Sequence, residues 1–264
     1  TINRPDVMVK GTVANSTGNE TGVTVNGIVA VVYNGEFFVN HVPLTEGSNT
    51  ITATATDTAG NTATTSITVN AITSTPHVTL TANIESGIAP LTTYFSVSTS
   101  IPNSVSTYQM DFEGDETIDY TGTTFDGISR TYTTAGIYYP TLTVIDSQGI
   151  SYSDTIAIVV LNASQLDALL QAKWNAMKTA LANQDVNGAL NYFAENSKAT
   201  YQYNLQLMQS ILPTIVQDMG NIVMKNVEGG LAEYEMLGVQ DGIQSSFYIE
   251  FVVDTDGIWK INFF

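Results

Sequence analysis

The chain has 264 residues, 43% of them hydrophobic and 12% charged, and its 25 acidic and 8 basic side chains give a formal net charge of −17. Such a polyanion lacks the basic footprint that nucleic acid and anionic lipid require, which excludes both as partners. The absence of cysteine excludes disulfides and thiolate chemistry. No apolar run approaches the roughly 18 residues of a membrane-spanning helix, so we expect no membrane insertion.

Composition divides the chain into three segments. Sixteen threonines fall in residues 1–74 and four in residues 163–264. Because Thr suits a half-buried strand better than a helix, this shift predicts a change of fold class along the chain. We therefore predict three domains, residues 1–74, 75–162 and 163–264. The chain opens at Thr1 without Met or a signal peptide, so we expect a mature or excised piece of a longer protein.

Strand periodicity dominates the first segment. Ile51 and Ala53 alternate with threonines, which is the period-2 pattern of a strand with one buried face. Asn34 and Gly35 stand between two apolar runs and predict a β-hairpin, because both turn positions need a positive φ. Residues 57–61 (DTAGN) provide a second turn. Strands this regular, with a turn about every ten residues, predict a β-sandwich.

Three stretches of the first segment resemble a known family: residues 11–13 (GTV), 23–27 (VTVNG) and 46–61 (EGSNTITATATDTAGN). They are similar to a bacterial immunoglobulin-like repeat, of the kind found beside glucodextranase catalytic domains and in long surface proteins. The resemblance implies a β-sandwich that acts as a spacer.

The second segment resembles a polycystic-kidney-disease (PKD) domain. Four motifs fall in the family's order and spacing: residues 87–92 (GIAPLT), 108–115 (YQMDFEGD), 132–138 (YTTAGIY) and 142–149 (LTVIDSQG). Met110 stands where the family favours Trp, so a flexible side chain replaces a rigid core anchor. The resemblance implies a second sandwich, with a softer centre.

Helical spacing begins in the third segment. Ser164 and Asp167 resemble a capping box and predict a helix start. Apolar residues then follow at the three-to-four spacing of an amphipathic helix: Leu166, Leu169, Leu170, Trp174, Met177 and Leu181. Asp185 predicts the start of a short second helix that runs to Phe193. Residues 197–219 predict a third helix, which Pro213 interrupts.

Strand alternation returns at the end of the chain, in residues 222–227, 231–237, 245–253 and 258–263. The predicted fold class is therefore multidomain, with two all-β immunoglobulin-like sandwiches followed by an α+β domain in which helices precede a curved antiparallel sheet. With Trp174 early, residues 189–193 (ALNYF) next and residues 256–261 (DGIWKI) last, the third segment is similar to the cone-shaped, cystatin-like fold. Nuclear transport factor, ketosteroid isomerase and the SnoaL-like proteins share that fold.

One acidic cluster resembles a metal-binding loop. In residues 111–119 (DFEGDETID), carboxylates at relative positions 1, 3, 5 and 9 follow the ligand ladder of calcium loops: Asp111, Glu113, Asp115 and Asp119. Glu116 stands where an EF-hand has Gly, and no Glu falls at position 12. Two carboxylates about 5 Å apart repel by roughly 3 kcal/mol at an effective dielectric constant near 20. A compact loop therefore calls for a cation such as calcium, whereas a splayed, solvated loop needs none.

Catalytic chemistry is sparse in residues 163–264, because both histidines lie in earlier segments. A catalytic interpretation needs a carboxylate whose pKa is raised by burial, such as Glu233, Glu235 or Glu250. Strand alternation instead predicts that these side chains point outward. An apolar pocket would be lined by Trp174, Tyr201, Met208, Met224 or Phe251, residues that more often form plain core.

Together these features predict a non-enzymatic module of the bacterial cell surface or extracellular space. The two sandwiches act as spacers and present the C-terminal domain to a protein or glycan ligand. Two alternatives stay open, namely a small-molecule-binding or catalytic pocket in residues 163–264, and an accessory region of a carbohydrate-active enzyme. An exposed, coplanar aromatic pair on the second sandwich would favour the latter. The sequence leaves the oligomeric state open and implies no cofactor other than calcium.

Overall fold

The computed structural model of the protein describes residues 1–16, 18–240 and 243–264. Its contacts group into two compact units, Thr1–Leu161 and Asn162–Phe264. The finer division into domains 1–74, 75–162 and 163–264 stays a prediction.

The first part of unit 1 is a sandwich of two antiparallel sheets, ordered β3-β2-β6-β7 and β1-β5-β4. Its strands are β1 (Asp6–Thr12), β2 (Thr21–Val25), β3 (Ile28–Val29), β4 (Val31–Tyr33), β5 (Glu36–Pro43), β6 (Gly47–Asp57) and β7 (Thr62–Ala71). The predicted hairpin is confirmed between β4 and β5, where Asn34 and Gly35 have φ values of 51° and 80°. Val23, Val25 and Ile51 belong to the core between the two sheets.

The second part of unit 1 is also β-structure. Its strands are β8 (His77–Ala82), β9 (Ser86–Ile88), β10 (Leu91–Ser100), β11 (Val105–Asp111), β12 (Tyr120–Gly122), β13 (Ser129–Tyr132), β14 (Gly136–Tyr138), β15 (Thr141–Asp146), β16 (Ser151–Thr155) and β17 (Ile158–Leu161). They form sheets β12-β11-β15-β16 and β13-β10-β8, while β17 pairs with β14 and lies parallel to β9. Met110, at the position of the expected Trp, is fully buried with Leu80 and Leu142.

Unit 2 begins with helices and ends with an antiparallel sheet. The helices are α1 (Ala163–Ala182), α2 (Val186–Leu190), α3 (Glu195–Leu207) and α4 (Leu212–Asp218), with a 3₁₀ turn at Gln209–Ile211. The strands β18 (Ile222–Glu228), β19 (Leu231–Gln240), β20 (Ile243–Val253) and β21 (Trp259–Phe263) pair in chain order. The predicted apolar face of α1 is confirmed, since it buries Leu166, Leu170, Trp174, Met177 and Leu181.

The predicted helix boundaries need three corrections. Asn162, rather than Ser164, caps α1, because its side chain accepts a hydrogen bond from the Gln165 amide. Helix α2 ends at Leu190 rather than Phe193. Pro213 lies in the first turn of α4, where its missing N–H has no helical partner to lose, so the third predicted helix becomes two.

The predicted fold class is wrong for the chain as a whole. Strands hold 50% of the residues and helices 19%, so the chain is mostly β-structure in several sheets, and the four short helices that precede the strands of unit 2 are too small a part of it to make a distinct helix-then-sheet domain. The physical reason lies in the helices after α1. Helix α3 has 13 residues but buries only Leu205, and α4 has 7 residues and buries only Leu212. Helices with so few buried side chains depend on other elements for their stability.

Candidate functional site

The acidic loop follows strand β11 and is organised by Asp111. Its Oδ1 accepts hydrogen bonds from the amides of Glu113 (3.1 Å), Gly114 (2.7 Å) and Asp115 (3.4 Å), and its Oδ2 from that of Glu116 (2.8 Å). Gly114 is required at its position, because φ is +79° and a Cβ would lie 2.7 Å from a backbone oxygen. The buried Asp111 carboxylate therefore draws the chain into a tight loop around itself.

Three of the four predicted metal ligands come together in this loop. Asp111, Glu113 and Asp119 can each offer one oxygen, all within 4.8 Å of one another. Asp119 also accepts a hydrogen bond from the Phe112 amide (2.8 Å). Asp115 is exposed and bonds the Thr117 amide instead (2.9 Å), so it stands outside the group. The spacing signal thus identified the loop but not its geometry.

Charge in the loop is only partly balanced. Glu113 forms an ion pair with Arg130, whose guanidinium also lies 5.6 Å from the centre of the Phe112 ring. Burial raises the pKa of Glu113, the interaction with Arg130 lowers it, and the nearby Asp119 carboxylate raises it further. One guanidinium thus faces three carboxylates. Calcium binding at Asp111, Glu113 and Asp119 stays a prediction, and the arrangement leaves negative charge that a cation would neutralise.

A second polar cluster joins the two sandwiches of unit 1, and we call it the junction. It consists of Arg4, Asp6, Asn40, His41 and Asp154, with Glu85 beside them. Arg4 donates to Asp6 (2.7 Å) and forms an ion pair with Asp154. The Asp154 carboxylate, whose side chain is 5% exposed, also accepts a hydrogen bond from the Leu80 amide (2.8 Å). A charge from the first sandwich is therefore neutralised inside the second.

Amide and apolar contacts reinforce the junction. The Asn40 side chain donates to the Ala157 carbonyl (2.9 Å) and accepts from the Ala157 amide (2.8 Å). Phe38 of the first sandwich clusters with buried Ala157 and Val159 of the second. It also meets the Tyr139 ring edge to face, with 6.2 Å between the ring centroids. These contacts bury apolar surface and satisfy polar groups across one interface.

His41 occupies an unusual place in the junction. It has a positive φ of 53°, and its Nδ1 lies 3.1 Å from Asp6 Oδ2. That hydrogen bond raises the pKa of His41. Burial by itself would raise the pKa of Asp6, but the interactions with His41 and Arg4 lower that pKa below its ordinary value. Burial raises the pKa of Glu85. The sequence analysis missed this cluster, and the only signal was His41, the one histidine of the first sandwich, within strand β5.

The candidate catalytic carboxylates lie on one face of the unit 2 sheet. Glu235 pairs with Lys225 (2.6 Å), and the hydrogen bonds from Lys225 and Ser246 lower the pKa of Glu235, the opposite of what a general acid needs. Glu233 lies directly across from Glu250 in the β19–β20 ladder. The Tyr248 hydroxyl lies 3.1 Å from a Glu233 oxygen and 2.9 Å from a Glu250 oxygen.

The residues proposed to line a pocket behave mostly as core. Trp174 and Phe251 are fully buried, and the Trp174 indole donates to a backbone carbonyl at Gly220 (3.0 Å). The Phe264 ring stacks on Tyr201, with centroids 5.2 Å apart, and meets Trp174 edge to face at 5.5 Å. Met208 is 36% exposed. These contacts support packing rather than a ligand pocket.

Comparison with protein families supports part of this picture. A family model described as "Glucodextranase, domain B" matches residues 1–72. The match does not extend over residues 75–162 or 163–264, so the resemblances to a PKD domain and to the cone-shaped fold stay predictions. No curated protein matches the chain.

Solved structures are similar only at low identity. The fibronectin(III)-like modules of Clostridium thermocellum CbhA align at 15% identity and a TM-score of 0.27, over 62% of this chain and 90% of that chain. Latent PorU from Porphyromonas gingivalis aligns at 10% identity and a TM-score of 0.31, over 60% of this chain and 18% of that chain. SGBP-B of Bacteroides ovatus, solved with a mixed-linkage heptasaccharide, aligns at 15% identity and a TM-score of 0.22, over 62% of this chain and 43% of that chain.

The alignment thus spans less than half the length of the latter two proteins. Likenesses this weak say nothing of this chain's ligand or activity. The family match and the two packed sheets agree over the same stretch. Residues 1–72 therefore form a bacterial immunoglobulin-like β-sandwich that is similar to glucodextranase domain B.

Proposed function

We propose that the chain is a non-enzymatic module of a bacterial extracellular or cell-surface protein. Its two sandwiches form a stiff spacer, and its C-terminal unit binds a ligand. The observation that carries the proposal is the buried junction between the sandwiches. A spacer must hold its length under thermal bending, and this interface ties the sandwiches together through a partly buried ion pair and a reciprocal amide pair.

Two further observations agree with a non-catalytic role. Immunoglobulin-like sandwiches typically serve as accessory modules rather than catalytic ones. The pKa of Glu235 on the unit 2 sheet is lowered by its hydrogen bonds with Lys225 and Ser246 rather than raised toward neutrality. A separate finding concerns membranes: in the part of the chain that the structure describes, the helices all lack the length and apolar character of a membrane span.

The ligand surface that we favour is the outward face of the unit 2 sheet. Four large apolar side chains on it are exposed by 44 to 53%: Val223, Leu237, Tyr248 and Phe263. Glu233, Glu235 and Glu250 lie among them, with Lys225 as the neighbouring cation. A surface that mixes apolar and acidic groups fits a protein ligand that carries basic side chains.

Double electron–electron resonance, which measures the distance between two spin labels, tests the stiffness of the spacer. Spin labels are attached to Ser48→Cys and Gln148→Cys, two exposed positions on different sandwiches of a chain that has no native cysteine. We expect one narrow distance distribution, which broadens when Arg4→Ala and Asn40→Ala are added. The exposed Asp126→Ala is the matched control and should leave the distribution unchanged. A broad distribution without any junction substitution would refute the stiff spacer.

Binding to a lysine-rich peptide at 0.15 M salt tests the ligand face. The double variant Tyr248→Ala/Phe263→Ala should weaken binding at least about fivefold, because truncation of anchoring aromatic side chains typically costs 1 kcal/mol or more. Tyr203→Ala, which removes an aromatic ring 65% exposed on α3, is the control and should bind normally. Equal affinity of all three proteins would exclude this face.

The match of residues 1–72 to glucodextranase domain B favours a second candidate, an accessory region of a carbohydrate-active enzyme. The exposed large apolar side chains described in residues 75–162 are Tyr94, Ile118 and Ile150, so these residues show no exposed aromatic pair. Electrophoresis of the chain through gels that contain dextran tests the candidate. Retardation that Tyr94→Ala abolishes would favour it, and unchanged mobility would exclude dextran binding.

A further inference from the structure

Strand β7 of the first sandwich has an unusually open environment. It is the outer strand of the sheet β3-β2-β6-β7, and every residue from 62 to 68 is exposed on both faces. Ile67 lies across from the buried Ile51, yet it is 58% exposed. The opposing sheet has three strands against four, so β7 projects past the surface that would cover it.

The hydrogen bonds around β7 identify which backbone groups point outward. The Asp57 amide donates to the Asn61 carbonyl across the β6–β7 turn, so the odd-numbered residues of β7 face β6. Asn70, an even-numbered residue, accepts a hydrogen bond from the Ile2 amide on the outer side. By alternation, the outward N–H and C=O groups of β7 below Asn70 belong to Thr62, Thr64, Ser66 and Thr68.

This edge lacks the features that normally prevent strand pairing. Residues 62–71 (TATTSITVNA) contain no charged residue and no proline. The ten pairs from Gly47↔Ala71 to Thr56↔Thr62 run without a bulge. Natural edge strands are usually blunted by Lys, Pro, bulges or a covering segment. Among the described residues, Ile2 covers only the end beside Asn70 and Ile72, so Thr62, Thr64, Ser66 and Thr68 remain open.

We propose that β7 pairs with β7 of a second copy of this chain, antiparallel and about a two-fold axis at Thr65. In this register Thr62 faces Thr68 of the second copy, and Thr64 faces its Ser66. All four outward residues then find partners among themselves, and each pair exchanges two backbone hydrogen bonds. A shift by two residues would place Thr62 against Asn70, whose carbonyl already binds Ile2.

Charge and side-chain contacts favour a second copy as the partner. The molecule has a formal net charge of −17, but the ten residues of β7 carry no charge. Two copies can therefore approach at this edge without bringing carboxylates of β7 together. The same register places exposed Ile67 beside Ala63 of the second copy. Long-range repulsion between the two polyanions is screened by salt, so the association should strengthen as ionic strength rises.

A single cysteine tests the register, because the chain has no other. Thr65→Cys would face itself in a pair without hydrogen bonds, where Cα atoms lie about 4.5 Å apart, within disulfide range. Ala63→Cys is the matched control on the same exposed strand, and its two copies would lie about 13 Å apart along the strand. We expect Thr65→Cys to form a covalent dimer at least about tenfold faster under mild oxidation. Equal rates would overturn the proposed register.

A proline variant and a charge variant test the association without cross-linking. Ser66→Pro removes an outward N–H and leaves the β6–β7 ladder intact, so it should abolish dimers in sedimentation equilibrium. Ile67→Lys restores a natural edge guard and should do the same if the proline variant does not fold. Wild-type protein that stays monomeric at millimolar concentration and high salt, or dimers that survive both substitutions, would overturn the proposal.

Discussion

The junction between the sandwiches and the acidic loop of the second sandwich both gather carboxylates, but they balance the charge differently. At the junction, Asp6 and Asp154 share the Arg4 guanidinium, and His41 adds a second basic group. In the loop, Asp111 is surrounded by backbone amides, while one Arg130 faces Glu113 and its acidic neighbours. The junction can therefore hold two sandwiches together, whereas the loop mainly shapes its own backbone.

The difference shows what a buried carboxylate needs. A side-chain cation neutralises the charge and links distant segments, because Arg4 and Asp154 are 150 positions apart. Backbone amides stabilise the charge only within a few residues, since the donors to Asp111 are two to five positions away. The four predictions below test this contrast, from the largest expected effect to the smallest.

Asp154→Ala should be the most damaging substitution. It leaves Arg4 with Asp6 alone and removes the acceptor of the Leu80 amide, and breaking a buried pair of this kind costs about 3 kcal/mol of unfolding free energy. Urea unfolding followed by far-ultraviolet circular dichroism measures the change. Asp126→Ala, an exposed carboxylate in the same sandwich, is the control and should stay within about 0.5 kcal/mol of wild type. Equal stability of the two variants would contradict a structural role for the junction.

Asp111→Ala should have a smaller effect. Its four amide donors lose their acceptor, but they can turn to water, so we expect a loss of about 2 kcal/mol, the upper range for a helix cap. Asp115→Ala is the matched control in the same loop, because this exposed side chain accepts a hydrogen bond from one amide of the described residues, that of Thr117, and it should cost far less. The same unfolding assay measures both. A loss as large for Asp115→Ala would show that Asp111 does not organise the loop.

Calcium should stabilise the protein through the loop. At a calcium concentration ten times the dissociation constant, a site present only in the native state adds about 1.4 kcal/mol. Calorimetric melting with and without millimolar calcium measures this, with magnesium as the ionic control. Glu113→Gln should abolish the shift, and Asp115→Asn should keep it, because Asp115 lies outside the cluster. An unchanged melting temperature in wild-type protein would show that the loop is a solvated acidic turn.

The junction should also make stability depend on pH. The pKa of His41 is raised in the folded state, so its contribution is complete below the ordinary value near 6.5 and is lost as pH rises through the higher folded value. His41→Asn should flatten the profile above about pH 6.5, because Asn tolerates the positive φ but does not titrate.

Neighbouring groups set the limits of this pH test. Arg4, Asp6, Asp154 and Glu85 face His41, and the pKa of Glu85 is raised by burial, so its contribution is lost with rising pH in the same sense. Glu85→Gln measured beside His41→Asn separates the two. A profile that His41→Asn leaves unchanged would assign the pH dependence to Glu85 or to groups outside the junction.

Local patterns predicted much of the local structure correctly. The Asn34-Gly35 hairpin, the turn at Asp57 and the apolar face of α1 depend on side chains a few residues apart. The Asp57 carboxylate accepts hydrogen bonds from the amides of Ala59 and Asn61, two and four positions on, which is why its motif is readable in the sequence.

Long-range structure was predicted less well. The fold class was wrong because helical periodicity shows that a helix forms, but not how much apolar surface it buries. Three of the four candidate metal ligands converge, while Asp115 turns away, because the direction of each carboxylate depends on which amides the loop brings near it.

By itself, the sequence determined the Asn34-Gly35 hairpin, the turn at Asp57, the apolar face of α1 and the strongly acidic, cysteine-free character of this protein. All of these follow from residue type and short-range spacing. Only the tertiary structure decided that Arg4 meets Asp154, that Glu113 and Asp119 share a cluster with Asp111, and that β7 remains an open edge. The physical reason is that these features depend on which distant segments pack together. The free energy of that packing comes from many contacts between residues far apart in the chain, and no short stretch of sequence shows which of them will meet.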